Sequence, residues 1–241
     1  MAEPPHYQVS TIALATEVIF ICYDVAMTIQ EVYRQFGTPK NLQQHMLTVT
    51  GLICSIQEHW AGEQIHWNHL IIAGLLHDLG NVIKFDLDKF PTLLGDELPK
   101  IDYWRDEQKR LIEKYSNDDH VATGKMLDEL GIDDEVKEAI QTKSFGNIRQ
   151  TAKSEDWLPK ILQYCDLRTA PSGLMTLDER AGDLKERYDK YANRSDFSEM
   201  IEAAKSIENE IAQSVDMKLE AIITGGTEKY KEKLLVHRVK P

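Results

Sequence analysis

The dipeptide His77-Asp78 follows the apolar run 70–76 and limits how this part of the chain can fold. Such a run is typical of a buried helix or strand, so two polar side chains are expected at the edge of the core. A lone carboxylate in an apolar interior is costly unless it is neutralised, paired or bound to a metal. The alternative is that the pair caps a helix before Gly80 and hydrogen-bonds to solvent.

A second inward-facing histidine is predicted on a segment that carries helix-start signals. Thr38 is a candidate N-cap, and Pro39 suits the first helical position. Apolar residues then recur at steps of three and four, as a buried helical face requires: Leu42, Met46, Val49, Ile53 and Ile56. His45 belongs to the adjoining stripe with Val49, Leu52 and Ile56, so we expect it to face inward.

Two further polar residues of ligand type lie on apolar helical faces. Asp166 follows Leu162 by four residues, on a face shared with Leu158, Ile161 and Cys165. A third helix is predicted to start at Asp118-Asp119 and to carry His120 on one side. Each such residue alone is more often a satisfied core group than a ligand. Four of them on separate apolar helices are difficult to explain as coincidence.

The ordered set His45, His77-Asp78 and Asp166 resembles the HD-domain superfamily of metal-dependent phosphohydrolases. The segment 75–81, Leu-Leu-His-Asp-Leu-Gly-Asn, is similar to the central motif of that family, and the resemblance covers roughly residues 38–191. Arg168, Pro171, Gly173 and the segment 177–180 resemble members known only as predicted hydrolases. The resemblance implies an all-α, HD-domain-like helical bundle with the metal site at its centre, and hydrolysis of a phosphate ester.

The chain departs from the family pattern at two positions. Many members carry a lysine three residues after the motif aspartate, where this chain has Asn81, and Lys84 is the candidate substitute. Members with two metals supply two histidines between the motif and the last aspartate. Here His120 is one candidate, and Lys143 stands about where the other would be. This substitution favours one metal ion over two.

The residue types suit metal-assisted hydrolysis. His45, His77, Asp78 and Asp166 are the expected ligands of one divalent ion (Mn, Fe, Co, Ni or Zn), among which imidazole and carboxylate ligands do not discriminate. Metal-bound water becomes a nucleophile as its pKa falls from about 15.7 toward about 7. Asp78 or Asp166 is then the candidate to orient that water or take its proton. His120 is expected beside the site, contacting substrate or a loosely held second metal.

Basic side chains are needed to hold a phosphate, and the candidates are Lys84, Lys143 and Arg168. Each has the alternative of being a solvated surface charge. Arg168 has a specific difficulty, because a residue two positions after Asp166 on a helix points away from that side chain. For Lys143, contact with the substrate phosphate and simple exposure to water are equally open.

Composition limits the remaining possibilities. With 241 residues the chain can form a sizeable core, and nothing in it forces two domains. We expect one all-α domain, residues 1–241, with an N-terminal helical extension (1–37), the metal-binding core (38–191) and C-terminal helices (192–241). Within the extension, residues 11–36 are predicted to form a long helix that covers the core or meets a second copy of the chain. Residues 200–219 are predicted to lie on another long helix.

The charge and the cysteines bear on partners and location. A net charge of −12 argues against non-specific binding to nucleic acid, which depends on neutralising phosphates. The longest apolar region, 9–27, is interrupted by Glu17 and Asp24, which argues against a signal peptide or a membrane span. Three cysteines at unpatterned spacing are consistent with reduced thiols in a cytoplasm.

Three alternatives remain open from the sequence. Asn81 and Lys143 are compatible with a degenerate site in a non-catalytic protein that senses a nucleotide or pairs with another chain. An HD-fold diiron oxygenase is the second, although it requires the fuller histidine set. The third concerns a separate site: the spacing His66-x-x-His69 suits metal binding on a helix, but the adjacent Trp67 and Asn68 offer no third ligand.

Overall fold

A computed structural model describes residues 26–239 of the chain, and about 70% of these residues are helical. The mostly helical architecture predicted from the apolar periodicity is therefore confirmed. The helices, in chain order, are α1 (Ile29–Gln35), α2 (Lys40–Glu58), α3 (Trp67–Leu76), α4 (Ile101–Lys114), α5 (Asp119–Glu129), α6 (Asp134–Thr142), α7 (Ile148–Thr151), α8 (Trp157–Arg168), α9 (Leu177–Arg187), α10 (Asp189–Ala192), α11 (Phe197–Gln213), α12 (Leu219–Thr224) and α13 (Lys231–Leu235).

Short 3₁₀ segments and two small antiparallel ribbons complete the described part. The 3₁₀ segments are Asn81–Lys84, Pro91–Lys100, Phe145–Asn147 and Glu228–Tyr230. Strand β1 (Met27–Thr28) pairs with β4 (Arg238–Val239), which joins the two ends of the described chain. Strand β2 (Thr169–Ala170) pairs with β3 (Gly173–Leu174) directly after α8. Among the helices between residues 26 and 239, none combines the length and the apolar character that a bilayer crossing requires.

Three helices, α2, α3 and α8, pack against one another at the centre of the fold. Helix α3 can occupy this position because it is apolar on nearly all sides, as expected of a fully buried helix. Gly74 allows α2 and α3 to approach closely, since a Cβ there would lie 2.7 Å from Thr50 Oγ1 and 2.8 Å from Ile53 Cδ1. The end of α3, where His77 and Asp78 follow, is therefore held in the interior.

The turn after Asp78 is fixed by a second close approach. A Cβ on Gly80 would lie 2.6 Å from Thr123 Oγ1 and 2.8 Å from the Asp119 carbonyl oxygen, so a side chain at this position would collide with α5. The Gly80 backbone N–H donates to Thr123 Oγ1 at 3.1 Å. Helix α5 begins where predicted, because the Asp118 side chain accepts from the Val121 N–H as an N-cap. These contacts bring the start of α5, and His120 with it, beside the turn.

The structure corrects two helix predictions. Helix α2 begins at Lys40 with Pro39 as its N-cap residue, and no side chain caps it. Thr38 is buried, and its hydroxyl has no hydrogen-bond partner among the described residues. The helix predicted for residues 11–36 is described only from Ile29, where the Thr28 side chain caps α1. The remainder of that prediction, with Cys22, lies outside the described residues.

The long helix predicted over residues 200–219 is interrupted. Helix α11 ends at Gln213, and α12 begins at Leu219. The intervening segment pairs with the end of α2: the Ala61 N–H donates to the Ser214 carbonyl at 2.8 Å, and the Asp216 N–H donates to the His59 carbonyl at 2.9 Å. These hydrogen bonds between distant parts of the chain take the place of hydrogen bonds within a helix. The apolar periodicity of the segment does not indicate them.

Glycine in the left-handed conformation follows three of the helices. Gly37 and Gly131 follow α1 and α5 with φ of 56° and 65°, in the left-handed region that glycine adopts at little cost. After α12 the left-handed residue is Gly226, with φ of 82°. Cys54 and Cys165 are buried in the core, as expected of small apolar side chains.

Tyr33 gives a test of how the end of α3 is held. Its buried hydroxyl donates to the Leu75 carbonyl at 2.8 Å, which supplies a partner to one of the last carbonyls of α3. Tyr33→Phe leaves that carbonyl without this donor in the core and is expected to lower the free energy of unfolding by about 1–3 kcal/mol. Urea unfolding followed by circular dichroism measures the change.

The control is Tyr103→Phe, since Tyr103 is 56% exposed. Its effect should stay within about 0.5 kcal/mol, the usual range for a surface substitution. Equal stabilities of the Tyr33→Phe protein and the wild type would contradict this account of the end of α3.

Candidate metal centre and cleft

The structure brings together the four side chains predicted as metal ligands. His45 comes from α2, His77 and Asp78 from the end of α3, and Asp166 from α8. One ligand atom from each lies within 4.8 Å of the others. Because these residues belong to the three central helices, the packing of the core determines their spacing.

The distances between the ligand atoms suit a single cation. His45 Nε2 lies 3.3 Å from His77 Nε2, 3.1 Å from Asp166 Oδ1 and 3.6 Å from Asp78 Oδ2. His77 Nε2 lies 3.4 Å from Asp166 Oδ1 and 3.7 Å from Asp78 Oδ2. Ligands about 2.1 Å from one ion are separated by about 3.0 Å along an octahedral edge and about 3.4 Å along a tetrahedral edge.

The hydrogen bond of His77 determines which of its ring nitrogens faces the cluster. Nδ1 lies 2.8 Å from the Gly74 carbonyl, which can only accept, so Nδ1 carries the proton and donates. In the neutral ring, Nε2 then presents a lone pair to the oxygens of Asp78 and Asp166. Lone pairs that face one another need a cation between them, and a backbone carbonyl on the far nitrogen is the usual support of a metal-bound histidine. The residues therefore fit a divalent metal ion.

Lys143 lies against the same two carboxylates. It is the residue directly after α6, and its Nζ donates to Asp78 Oδ1 and to Asp166 Oδ2, each at 3.0 Å. Each carboxylate thus gives one oxygen to Lys143 and turns the other toward the histidines. With neutral histidines, the two carboxylates and the ammonium carry a net charge of −1, which favours binding of one cation.

Burial and Lys143 act in opposite directions on the acidic groups. Burial alone would raise the pKa of Asp78, but the Lys143 ammonium outweighs it and holds that pKa below the usual range. The pKa of Asp166 is lowered well below its usual value in the same way, with burial again opposed by Lys143. Burial would lower the pKa of Lys143, and the two carboxylates raise it instead. All three groups are therefore charged at neutral pH.

The cluster opens into a cleft of about 190 Å³. Besides three of the ligand residues, the cleft is lined by three other residues that the sequence predicted for the site: Lys84, His120 and Lys143. Lys84 is exposed, and its Nζ donates to Asp119 Oδ2 at 2.7 Å. His120 and Lys143 line the same cleft. That they occupy the places of the two histidines that hold a second metal in two-metal members remains a prediction.

Sequence reasoning missed part of the cleft wall. The added lining residues are Asp119, Gln141, Phe145, Lys190 and Tyr191. Phe145 and Tyr191 meet edge to face with ring centroids 5.4 Å apart, and Lys190 lies over the Tyr191 ring at 4.9 Å. Helix α10, which carries Lys190 and Tyr191, has four residues and shows no periodicity that could have marked them.

Arg168 is the predicted site residue that the structure places elsewhere. It is 3% exposed and does not line the cleft. Its Nη1 donates to Glu208 Oε1 at 2.7 Å and to the Tyr164 hydroxyl at 2.8 Å, and its Nε donates to the Met175 carbonyl. Arg168 therefore lies outside the cleft lining to which it was predicted to belong, and its guanidinium joins α8 to α11 and to the segment after β3.

Comparisons with known proteins give no relative for this chain: no family model, no curated protein and no solved structure matches it.

Arg168→Ala is expected to destabilise the fold. It leaves the Glu208 carboxylate without its buried partner, and loss of one member of a buried ion pair costs about 3–5 kcal/mol. Glu208 is 29% exposed, so the lower end of that range is expected. Chemical denaturation measures the loss.

Lys84→Ala is the matched control, because its ion pair with Asp119 is exposed on the lysine side. Surface pairs contribute about 0–1 kcal/mol, so this variant should unfold near the wild type. Equal stability of the two variants would show that Arg168 does not have the structural role described here.

Proposed function

We propose that the protein is a metal-dependent phosphohydrolase that acts on a nucleotide or another small phosphate ester. The observation that supports this most directly is the meeting of His45, His77, Asp78 and Asp166, from three helices, at spacings that suit one divalent ion. Their order along the chain resembles the HD-domain pattern, and the proposal includes an HD-like arrangement of the core.

The metal chemistry follows from the donor set. Two imidazoles and two carboxylates suit one transition ion such as Mn, Fe, Co, Ni or Zn. Such an ion, when bound, would supply a water of lowered pKa and polarise a phosphoryl oxygen. Asp78 or Asp166 would orient that water or accept its proton.

The charge of the cleft supports an anionic substrate. The cluster of Asp78, Asp166 and Lys143 carries −1, so addition of a divalent ion brings the total to +1. Lys84 and Lys190 line the cleft and add two ammonium groups, one of which is paired with Asp119 in the same lining. Because the protein as a whole carries −12, this local positive charge would select small phosphates that enter the cleft.

The aromatic wall supports the choice of a nucleotide. Phe145 and Tyr191 contribute two aromatic rings, in edge-to-face contact, to the lining of the cleft. A planar base packs well against aromatic rings, and base–aromatic stacking contributes about 1–3 kcal/mol. Gln141 and Asn81 also line the cleft and offer amide donors and acceptors. A nucleoside phosphate would satisfy both the apolar and the charged part of the cleft.

A second candidate function is supported by Lys143. Its ammonium already contacts both carboxylates at 3.0 Å and so neutralises part of their charge without a metal. In that case the site would be degenerate, and the protein would bind a nucleotide or another chain without hydrolysing it. Metal content and phosphate release together separate the two functions.

The first test of the proposal combines metal analysis with an activity panel. Purified protein is reconstituted with Mn, Fe, Co, Ni or Zn and assayed for phosphate release from nucleotides and phosphomonoesters, with and without a chelator. Asp78→Ala is expected to abolish both bound metal and phosphate release, because it removes a ligand and a candidate general base. Iron-dependent oxygen consumption in place of phosphate release would indicate the oxygenase.

Asp216→Asn is the matched control for Asp78→Ala. Asp216 also pairs with a histidine, His59, at 3.0 Å, but on the surface and away from the cleft. This variant should keep metal and activity. If Asp78→Ala retains the full metal content, the ligand assignment fails, and a metal-free wild type with no phosphate release would favour the non-catalytic function.

The second test concerns Lys143. Lys143→Ala is expected to lower kcat/KM by at least about tenfold, because it removes the ammonium that orients both carboxylates and adds charge for the phosphate. Metal content should remain, since the substitution makes the cluster more negative. Elemental analysis and steady-state kinetics give the two readouts.

Lys143→His is a sharper variant of the same test. If His120 is correctly placed, a histidine at position 143 should increase the metal stoichiometry toward two ions per chain. Wild-type kinetics in Lys143→Ala would contradict a role in substrate binding, whatever the result with histidine.

A further inference from the structure

A second group of metal-ligating side chains lies at the opposite end of α3 from His77. His66 is the residue before α3, His69 lies in its first turn, and Glu135 lies in the first turn of α6. The Nδ1 atoms of His69 and His66 lie 3.0 Å and 3.9 Å from Glu135 Oε2. One ligand atom from each residue lies within 4.8 Å of the others. Folding thus supplies the third ligand that Trp67 and Asn68 could not.

Asp133 contacts the other side of the His69 ring. Its Oδ2 lies 3.3 Å from His69 Nε2, so His69 lies between two carboxylates. A neutral imidazole has one N–H and one lone pair, and it can donate to only one of them. The hydrogen bond in the structure joins His69 Nδ1 to Glu135 at 3.0 Å. In the tautomer that carries its proton on Nε2, facing Asp133, Nδ1 instead turns a lone pair toward the Glu135 carboxylate. A cation between them would satisfy both, and a carboxylate on the far nitrogen is the usual support of a metal-bound histidine.

We propose that His66, His69 and Glu135 form a site for a divalent transition-metal ion, for which Zn²⁺ is the probe, with Asp133 as a positioning residue. The distances of 3.0 Å and 3.9 Å bracket the edge of a tetrahedron, about 3.4 Å for ligands about 2.1 Å from zinc. Two imidazoles exclude the hard cations Mg²⁺ and Ca²⁺, which take oxygen ligands. His66 and Glu135 are exposed, so water completes the coordination.

The ion at this position would connect two helices that supply the central cleft. Zinc would hold the N-terminal end of α3 to the N-terminal end of α6, and these helices already pack together. His77 directly follows α3, and Lys143 directly follows α6. Helix α3 has ten residues, which at 1.5 Å per residue separates the two sites by about 15 Å. By cross-linking α3 and α6, the bound ion would fix the position of His77 relative to Lys143.

The test is zinc binding by the full-length, metal-stripped protein. Titration against a chromophoric chelator gives the stoichiometry and affinity, and side-chain ¹⁵N spectra report which histidines respond. The double variant His66→Gln/His69→Gln is expected to bind one zinc fewer per chain than the wild type. Because the surface site and the central cleft share no residue, this difference is independent of whether the cleft binds metal or hydrolyses phosphate.

Two further variants test the assigned roles. Asp133→Asn should weaken zinc binding at this site by about 10- to 100-fold, the usual effect of losing a carboxylate that supports a metal-bound histidine. His59→Gln is the matched control, since His59 also pairs with a surface carboxylate, Asp216 at 3.0 Å, but has no third ligand among the described residues. It should keep the wild-type stoichiometry.

The proposal fails under either of two results. One is a double variant that binds as much zinc as the wild type. The other is a loss of binding in His59→Gln as large as in the double variant, which would show that zinc binds surface histidines without selection.

Discussion

Two carboxylates, Asp78 and Asp166, are held close together at the edge of the core, and the surrounding structure compensates for their charge. Burial and mutual repulsion both favour their protonated forms. The Lys143 ammonium, 3.0 Å from each, is the group that keeps them ionised. It uses one oxygen of each carboxylate and leaves the other oxygen turned toward His45 and His77. The geometry of the cleft depends on this contact.

The same packing that buries these groups also aligns them. Gly74 lets α2 and α3 approach, and Gly80 lets α5 lie against the turn after Asp78. The Tyr33 hydroxyl and the His77 ring each donate to a carbonyl near the end of α3. Helix ends leave carbonyls without intrahelical partners, and here side chains satisfy two of them. Because Nδ1 of His77 donates to the Gly74 carbonyl, Nε2 on the other side of the ring points toward the carboxylates.

Charge is distributed very differently inside and outside the cleft. The chain carries −12 overall, whereas in the cleft lining three lysines, Lys84, Lys143 and Lys190, balance three aspartates, Asp78, Asp119 and Asp166. Arg168 shows the opposite arrangement: its buried guanidinium is fully engaged by Glu208 and Tyr164 and serves the join between α8 and α11. The lysines line an open cleft, whereas Arg168 is enclosed by its hydrogen-bond partners. The order of residues along the chain does not reveal this difference.

Periodicity along the chain was sufficient for the parts of the fold that depend on local sequence. It predicted helices around His45 and Asp166, the start of α5 at Asp118, and the mostly helical class, because an apolar face and a cap act within a few residues of each other. Only the tertiary structure decided what distant residues do to one another. Hydrogen bonds to His59 and Ala61 interrupt the helix after Gln213, and Arg168 is buried by its partners. Lys190 and Tyr191 join the lining of the cleft. Glu135 lies beside His66 and His69. These contacts join residues far apart in the chain, and no pattern within a single helix encodes their distance.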